Sequence, residues 1–126
     1  MPLNSIWEGA ANIQALDLLR ALRTGPVADA LMQETTVVRS AFPAVQRLGE
    51  QVRHGLDGAT DEAQARRLAR DVALLVQASL LHQTSPGGVV AAFVAGRIDD
   101  PSDVYGTLPA GVDIDGVLAR AMPWRP

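Results

Sequence analysis

Thr60-Asp61-Glu62-Ala63-Gln64-Ala65-Arg66-Arg67-Leu68-Ala69-Arg70-Asp71-Val72-Ala73-Leu74-Leu75-Val76-Gln77-Ala78-Ser79-Leu80-Leu81 reads as one long helix, and it sets the fold class. Thr60 is a capping hydroxyl, and Asp61 and Glu62 place acids in the first turn, where the helix dipole favours them. Ala65, Leu68, Ala69, Val72, Leu75, Val76 and Leu80 recur at helical spacing and mark the face expected to be buried. The opposite side opens with Arg66 and Arg70 but continues with Leu74 and Leu81, so the second half of the helix turns apolar all round. Such a helix is expected to be covered on all sides there. A helix of this kind needs other helices to bury it, and the rest of the chain supplies helical patterns and no convincing strand or internal repeat.

Upstream, a helix is expected from near Ala10 to just before Gly25-Pro26, a pair that ends helices by backbone freedom and loss of a donor. Ala11, Ala15, Leu18, Leu19 and Leu22 share one face of it, and Asp17 and Arg20 stand one turn apart on the other, close enough to pair. Ile13 and Leu16 interrupt the polar side, which implies packing on more than one flank. Pro26 suits the first position of a helix from Val27 to about Thr35, after which the β-branched run Thr35-Thr36-Val37-Val38 weakens the pattern. Pro43 either starts a new helix or kinks a continuous one; beyond it Val45, Leu48, Val52 and Leu56 form a stripe that Gly55 and Gly58 close. Downstream, Ser85-Pro86 reads as the cap and first position of a helix to about Ile98, with Val90, Phe93 and Val94 inward and Asp99-Asp100-Pro101 as its end. A surface loop over 102–111 and a short helix from Asp115 to Met122 follow. The expectation is an all-α bundle of about five to six helices, in which 1–25 and 26–126 form one structural unit.

Composition narrows the function. The 126 residues, 48% of them hydrophobic, are one domain's worth of chain. Net charge is −3, and all 11 basic residues are arginine. An acidic balance argues against a general binder of nucleic acid or membrane surfaces, because phosphate affinity comes from accumulated positive charge. Without cysteine there is no disulfide framework, thiol nucleophile or cysteine metal site. No signal peptide is read at the amino terminus, and the most apolar stretch, Val72 to Leu81, falls far short of the roughly 20 residues that a membrane span requires. These features fit a soluble cytoplasmic chain. His54 and His82 each stand near a helix end without a partner at ligand spacing, so no metal site is expected. Gly87-Gly88 lacks the lysine and threonine of a nucleotide loop.

Residue types read as chemistry at Ser5-Ile6-Trp7-Glu8-Gly9-Ala10-Ala11-Asn12. A glycine directly after a carboxylate bares the peptide N–H groups to a ligand. The first turn of the helix that follows offers free donors and a partial positive charge to a ligand oxygen, with Glu8 as a base beside them. The plain alternative is an exposed glutamate favoured by the dipole near a helix start.

Leu3-Asn4-Ser5-Ile6-Trp7-Glu8-Gly9, followed by Asn12 and by Leu16-Asp17-Leu18-Leu19-Arg20, resembles the active-site loop and following helix of flavin-dependent acyl-CoA dehydrogenases. Tryptophan before Glu-Gly favours their AidB-like, alkylation-response branch. The likeness is close over the first two dozen residues and loose beyond, through helix order and a closing Gly-Val-Asp, Leu-Ala-Arg-Ala segment. A complete member is several times longer, so the resemblance implies a carboxyl-terminal helical part, with Met1 either an imposed boundary or the start of a shortened reading frame.

The resemblance implies FAD as cofactor and an acyl-CoA thioester as substrate, in a homo-oligomer, with Glu8 taking the thioester α-proton while the β-hydrogen leaves as hydride. The backbone N–H of Glu8, made accessible by Gly9, would hydrogen-bond the thioester oxygen. Trp7 would wall the acyl pocket or stack near the flavin, or else anchor the loop to the bundle. Ala10 and Ala11 stand where relatives commonly place a hydroxyl, leaving Asn12 as the polar contact to the flavin dinucleotide. Arg20 matches an arginine associated with DNA contact in the DNA-binding member of the branch, and pairing with Asp17 accounts for it without nucleic acid. Arg66, Arg67 and Arg70 form the one basic cluster, offset by Asp61, Glu62 and Asp71. By itself this part is expected to be inactive, because nothing in it holds a flavin or a CoA nucleotide. Two other classes stay open: a non-catalytic helical interaction or oligomerisation module, and a DNA-binding appendage.

Overall fold

A computed structural model describes residues 11–23, 26–57, 64–101 and 107–122. The described chain is all-α: α1 Ala11–Arg23, α2 Val27–Glu34, α3 Thr36–Ala41, α4 Pro43–Asp57, α5 Ala65–Thr84, α6 Gly87–Val94, a π-helical turn Ala95–Asp99 that continues α6, and α7 Ile114–Ala121. No described residue is in a strand. The expected helical bundle is therefore present, with one helix more than anticipated.

α5, about 30 Å long at 1.5 Å per residue, is the element around which α1, α4, α6 and α3 pack. Leu75 and Ala78 are fully enclosed, and Ala65, Leu68 and Val72 are buried with them, as the stripe requires. Leu80 departs from that expectation: it lies 53% exposed, while Leu74, Ala78 and Ser79 are buried instead. The buried rows are Leu68-Asp71-Val72-Leu75-Ala78-Ser79, a face turned toward the side that begins with arginine. Leu74 joins Ala44 and Leu48 of α4 in the buried core, against which Ile98 of the π turn packs. Cover on all sides is thus met at Leu74 and not at Leu80. α1 docks through Ala15, Leu19 and Leu22, with Leu16 and Leu18 half-buried, whereas Ala11 and Ile13 are exposed. Val45, Leu48 and Val52 of α4 and Val90 and Val94 of α6 complete the core, and Leu56 and Phe93 pack at its margin.

Two helix ends follow from proline acting on its predecessor. The ring of a proline disfavours the helical region for the residue before it. Phe42 before Pro43 is extended (φ −132, ψ 113) and ends α3, and Ser85 before Pro86 is extended (φ −126, ψ 153) and ends α5. Of the two readings of Pro43, the new helix is correct. Ser85 terminates α5 rather than capping α6: no side-chain bond caps α6, and the Ser85 hydroxyl is buried without a partner. At the last helix the cap is Asp113, whose carboxylate accepts from the Gly116 N–H at 2.9 Å, so α7 begins one residue earlier than expected.

The β-branched run breaks the helix at its first residue, Thr35, and its remainder opens a new helix, α3. A break at Thr35 (φ −92, ψ 3) releases carbonyls at the end of α2, and side chains take them up. The Thr35 hydroxyl donates to Leu31 O at 2.9 Å, and the Thr36 hydroxyl to Met32 O at 2.9 Å. Arg39 Nη2 reaches the same Met32 carbonyl at 2.8 Å, and Ser79 of α5 donates to Glu34 O at 3.2 Å. Thr35 and Val38 are buried in consequence.

Gly49 makes the Arg39 bond possible, because a Cβ at that position would collide with Arg39 Cδ. Alanine there gains about 0.5–1 kcal/mol of helix propensity, but displacing the guanidinium forfeits a charge-assisted bond worth about 1.5–3 kcal/mol. Gly49→Ala is therefore expected to destabilise by about 1 kcal/mol, read by urea unfolding. In an Arg39→Ala background the same substitution should become stabilising; destabilisation in both backgrounds would remove Arg39 from the account.

Candidate functional site

Glu8, Gly9 and Trp7 lie outside the described residues, and so does the side chain of Asn12, whose backbone forms the first turn of α1. Arg20 is described. Its Nη1 lies 3.0 Å from Asp17 Oδ1, one turn away on the exposed face of α1, which is the pairing that the sequence spacing suggests.

What the fold does bring together is polar side chains along the seam between α4 and α5. Gln51 and His54 of α4 line a hollow of about 520 Å³ together with Gln64, just ahead of α5, and Arg67, Arg70 and Asp71 of α5. Past Gln51 and Arg70, which belong to both, a narrower hollow of about 150 Å³ carries on between Arg47 of α4 and Arg97 and Asp99 of the π turn. Two ion pairs brace this groove. Arg47 Nη2 meets Asp99 Oδ1 at 2.7 Å, and Arg70 closes a fork on Asp71 Oδ1 at 2.9 and 3.0 Å. Asp71 is buried on α5, so the Arg70 fork supplies the partner that a buried carboxylate requires. The sequence signal for this groove was incomplete. Arg67, Arg70, Asp71 and Leu74 share a helix face and are legible as such, but Arg47 and Arg97 join them only through the tertiary fold.

On the other side of His54 a hollow of about 390 Å³ is lined by Arg39, Glu50, Arg53 and Asp57. Its charges cancel locally, with Arg53 pairing to Asp57 at 3.2 Å and to Asp29 at 3.3 Å. His82 lies edge-on to Phe42, ring centroids 6.2 Å apart, in a packing role. Among the described residues no group of histidines and acids is placed to hold a metal ion, and no helix is long and apolar enough to cross a membrane.

The flavin that the sequence resemblance implies does not fit these hollows. An isoalloxazine ring requires a largely apolar slot with a few converging donors, and each hollow here is walled by guanidinium and carboxylate groups. Comparison of the chain with protein-family models, with curated proteins and with solved structures gives no match.

Proposed function

We propose that the chain is the carboxyl-terminal helical part of an acyl-CoA dehydrogenase-like flavoprotein of the AidB-like branch, working in the cytoplasm, with Glu8 as the group that removes the thioester α-proton. The observation that carries this reading is the stretch Ile6-Trp7-Glu8-Gly9, whose Glu8 is three residues ahead of Ala11, the first described residue of a helix that Ala15, Leu19 and Leu22 fasten to the core.

The chemistry assigned to this chain is confined to the proton. The C–H bond at the α-carbon breaks, the proton passes to the Glu8 carboxylate, and the electron pair moves toward the thioester oxygen. That oxygen would receive a hydrogen bond from the Glu8 backbone N–H, without which so weak an acid does not ionise at a useful rate. Trp7 would flank the acyl chain. FAD would be held by a further portion of the protein, since the hollows of the described residues do not suit an isoalloxazine ring. Asn12 would at most touch the dinucleotide.

The test is flavin content and thioester oxidation, measured for this chain alone and for a protein in which a flavin-binding portion precedes it. The chain alone should retain no FAD and oxidise no thioester, and the longer protein should do both. A longer protein free of flavin would overturn the assignment.

A second reading, a helical oligomerisation module, has one observation in its favour. Ile114 and Leu118 of α7 and Met122 just beyond it are exposed apolar side chains, and α7 buries no residue. It is compatible with the homo-oligomer that the first reading expects, and on its own it predicts self-association by sedimentation that is indifferent to Glu8. DNA binding draws no support from Arg20, which Asp17 already neutralises on a chain of net charge −3.

A further inference from the structure

The α4/α5 groove concentrates positive charge on an otherwise acidic protein. Arg47, Arg67, Arg70 and Arg97 line it, against the carboxylates of Asp71 and Asp99. Each carboxylate is taken by one arginine, Asp71 by Arg70 and Asp99 by Arg47. Arg67 and Arg97 form no hydrogen bond or ion pair among the described residues, so two guanidinium groups open onto the groove unneutralised. The wide end also presents the Gln51 and Gln64 amides and the His54 imidazole, above a floor that includes Leu68 and Gly55.

A volume of about 520 Å³ lies within the range of small-ligand sites. The groove's two arginines unpaired among the described residues are too few to hold a nucleic-acid duplex, whose affinity comes from many phosphates neutralised together. Along α5 the run from Arg67 to Leu74, beside which Arg97 closes the narrow end, covers roughly 10 Å. Planar guanidinium forks at two ends of a groove, with amide donors beside the one at the wide end, match the oxygens of phosphate groups. We infer that this groove binds a small organic phosphate of nucleotide size, its phosphate at the Arg67 end and a second negative group toward Arg97. The inference is independent of the Glu8 reading and does not involve its residues.

The test is calorimetric titration of the full chain at low ionic strength with ADP and with inorganic pyrophosphate, alongside Arg67→Gln, Arg97→Gln and their double substitution. Arg120→Gln is the control, an exposed arginine of α7 outside the groove that carries the same change in charge. All three side chains are exposed, so folding should be unaffected, and circular dichroism checks that. Saturable binding by ADP is expected, weakened about tenfold by each groove substitution, as loss of a charge-assisted hydrogen bond implies, and unchanged within about twofold by Arg120→Gln. Absence of saturable binding by either probe overturns the proposal, as does equal weakening by Arg120→Gln, which would mark diffuse attraction. A short DNA duplex is titrated as a further arm; tighter binding of the duplex than of ADP, lost in the same Arg67→Gln variant, would also overturn it by making the groove part of a nucleic-acid surface.

Discussion

Leu75→Ala is expected to destabilise the protein by about 3–4 kcal/mol, the range of a buried leucine truncated where the surroundings cannot collapse. Leu75 has no exposed surface and lies midway along the helix that α1, α4 and α6 all touch. Several helices pack on α5, so the cavity is not expected to close by shifting one of them, and the loss includes both the transfer term and the vacated contacts. For a chain of this length the thermal midpoint should fall by roughly 10–15 °C. Leu80→Ala is the internal comparison: same residue type, same helix, but 53% exposed, and its cost should stay within about 0.5 kcal/mol. Urea unfolding of the two variants at several protein concentrations checks both values. A large cost at Leu80 that grows with protein concentration would show that a second copy covers that side.

The comparison between these two leucines also locates where sequence patterning stops. Period 3.6 identifies α5, and proline chemistry identifies its end at Ser85, because both depend on neighbours along the chain. Which flank of an all-apolar segment faces outward depends on partners dozens of residues away. Leu74 is therefore covered, as an all-apolar segment requires, while Leu80, expected on the buried face, is exposed. α3 escapes the pattern for a similar reason. Its β-branched residues weaken helix propensity locally, and what stabilises the turn is a set of side-chain bonds from Thr35, Thr36, Arg39 and the distant Ser79. The Asp17–Arg20 pair, three residues apart, was legible in full. The arginine groove was legible only along α5, since Arg47 and Arg97 reach it through packing. Glu8, by contrast, is named entirely by local sequence, by a carboxylate next to glycine within Ser5–Asn12.

The second large effect belongs to that glutamate. In the longer, flavin-containing protein, Glu8→Gln should lower the rate of thioester oxidation by about 10²–10⁴-fold, the contribution of a positioned general base, while flavin content stays as in the native protein. Glutamine keeps the size and hydrogen-bonding reach of the side chain and removes its ability to accept the proton. Glu8→Asp keeps the carboxylate but withdraws it by one methylene. A misplacement of about 1 Å is enough to cost roughly 10²-fold, so the aspartate variant should also be slow, with KM little changed. Equal activity of all three proteins would remove Glu8 from the chemistry, whatever the sequence around it resembles.

Oxidation rates report proton and hydride loss together, and only the first is assigned to this chain. The most direct measurement isolates it: the longer protein is incubated in deuterated water with an acyl-CoA thioester whose β-carbon bears no removable hydrogen, and deuterium entering the α-position is followed by mass spectrometry. The native protein should exchange the α-hydrogen and Glu8→Gln should not, by the same 10²–10⁴-fold margin. Exchange at the native rate in Glu8→Gln would contradict the assignment of Glu8 as the base.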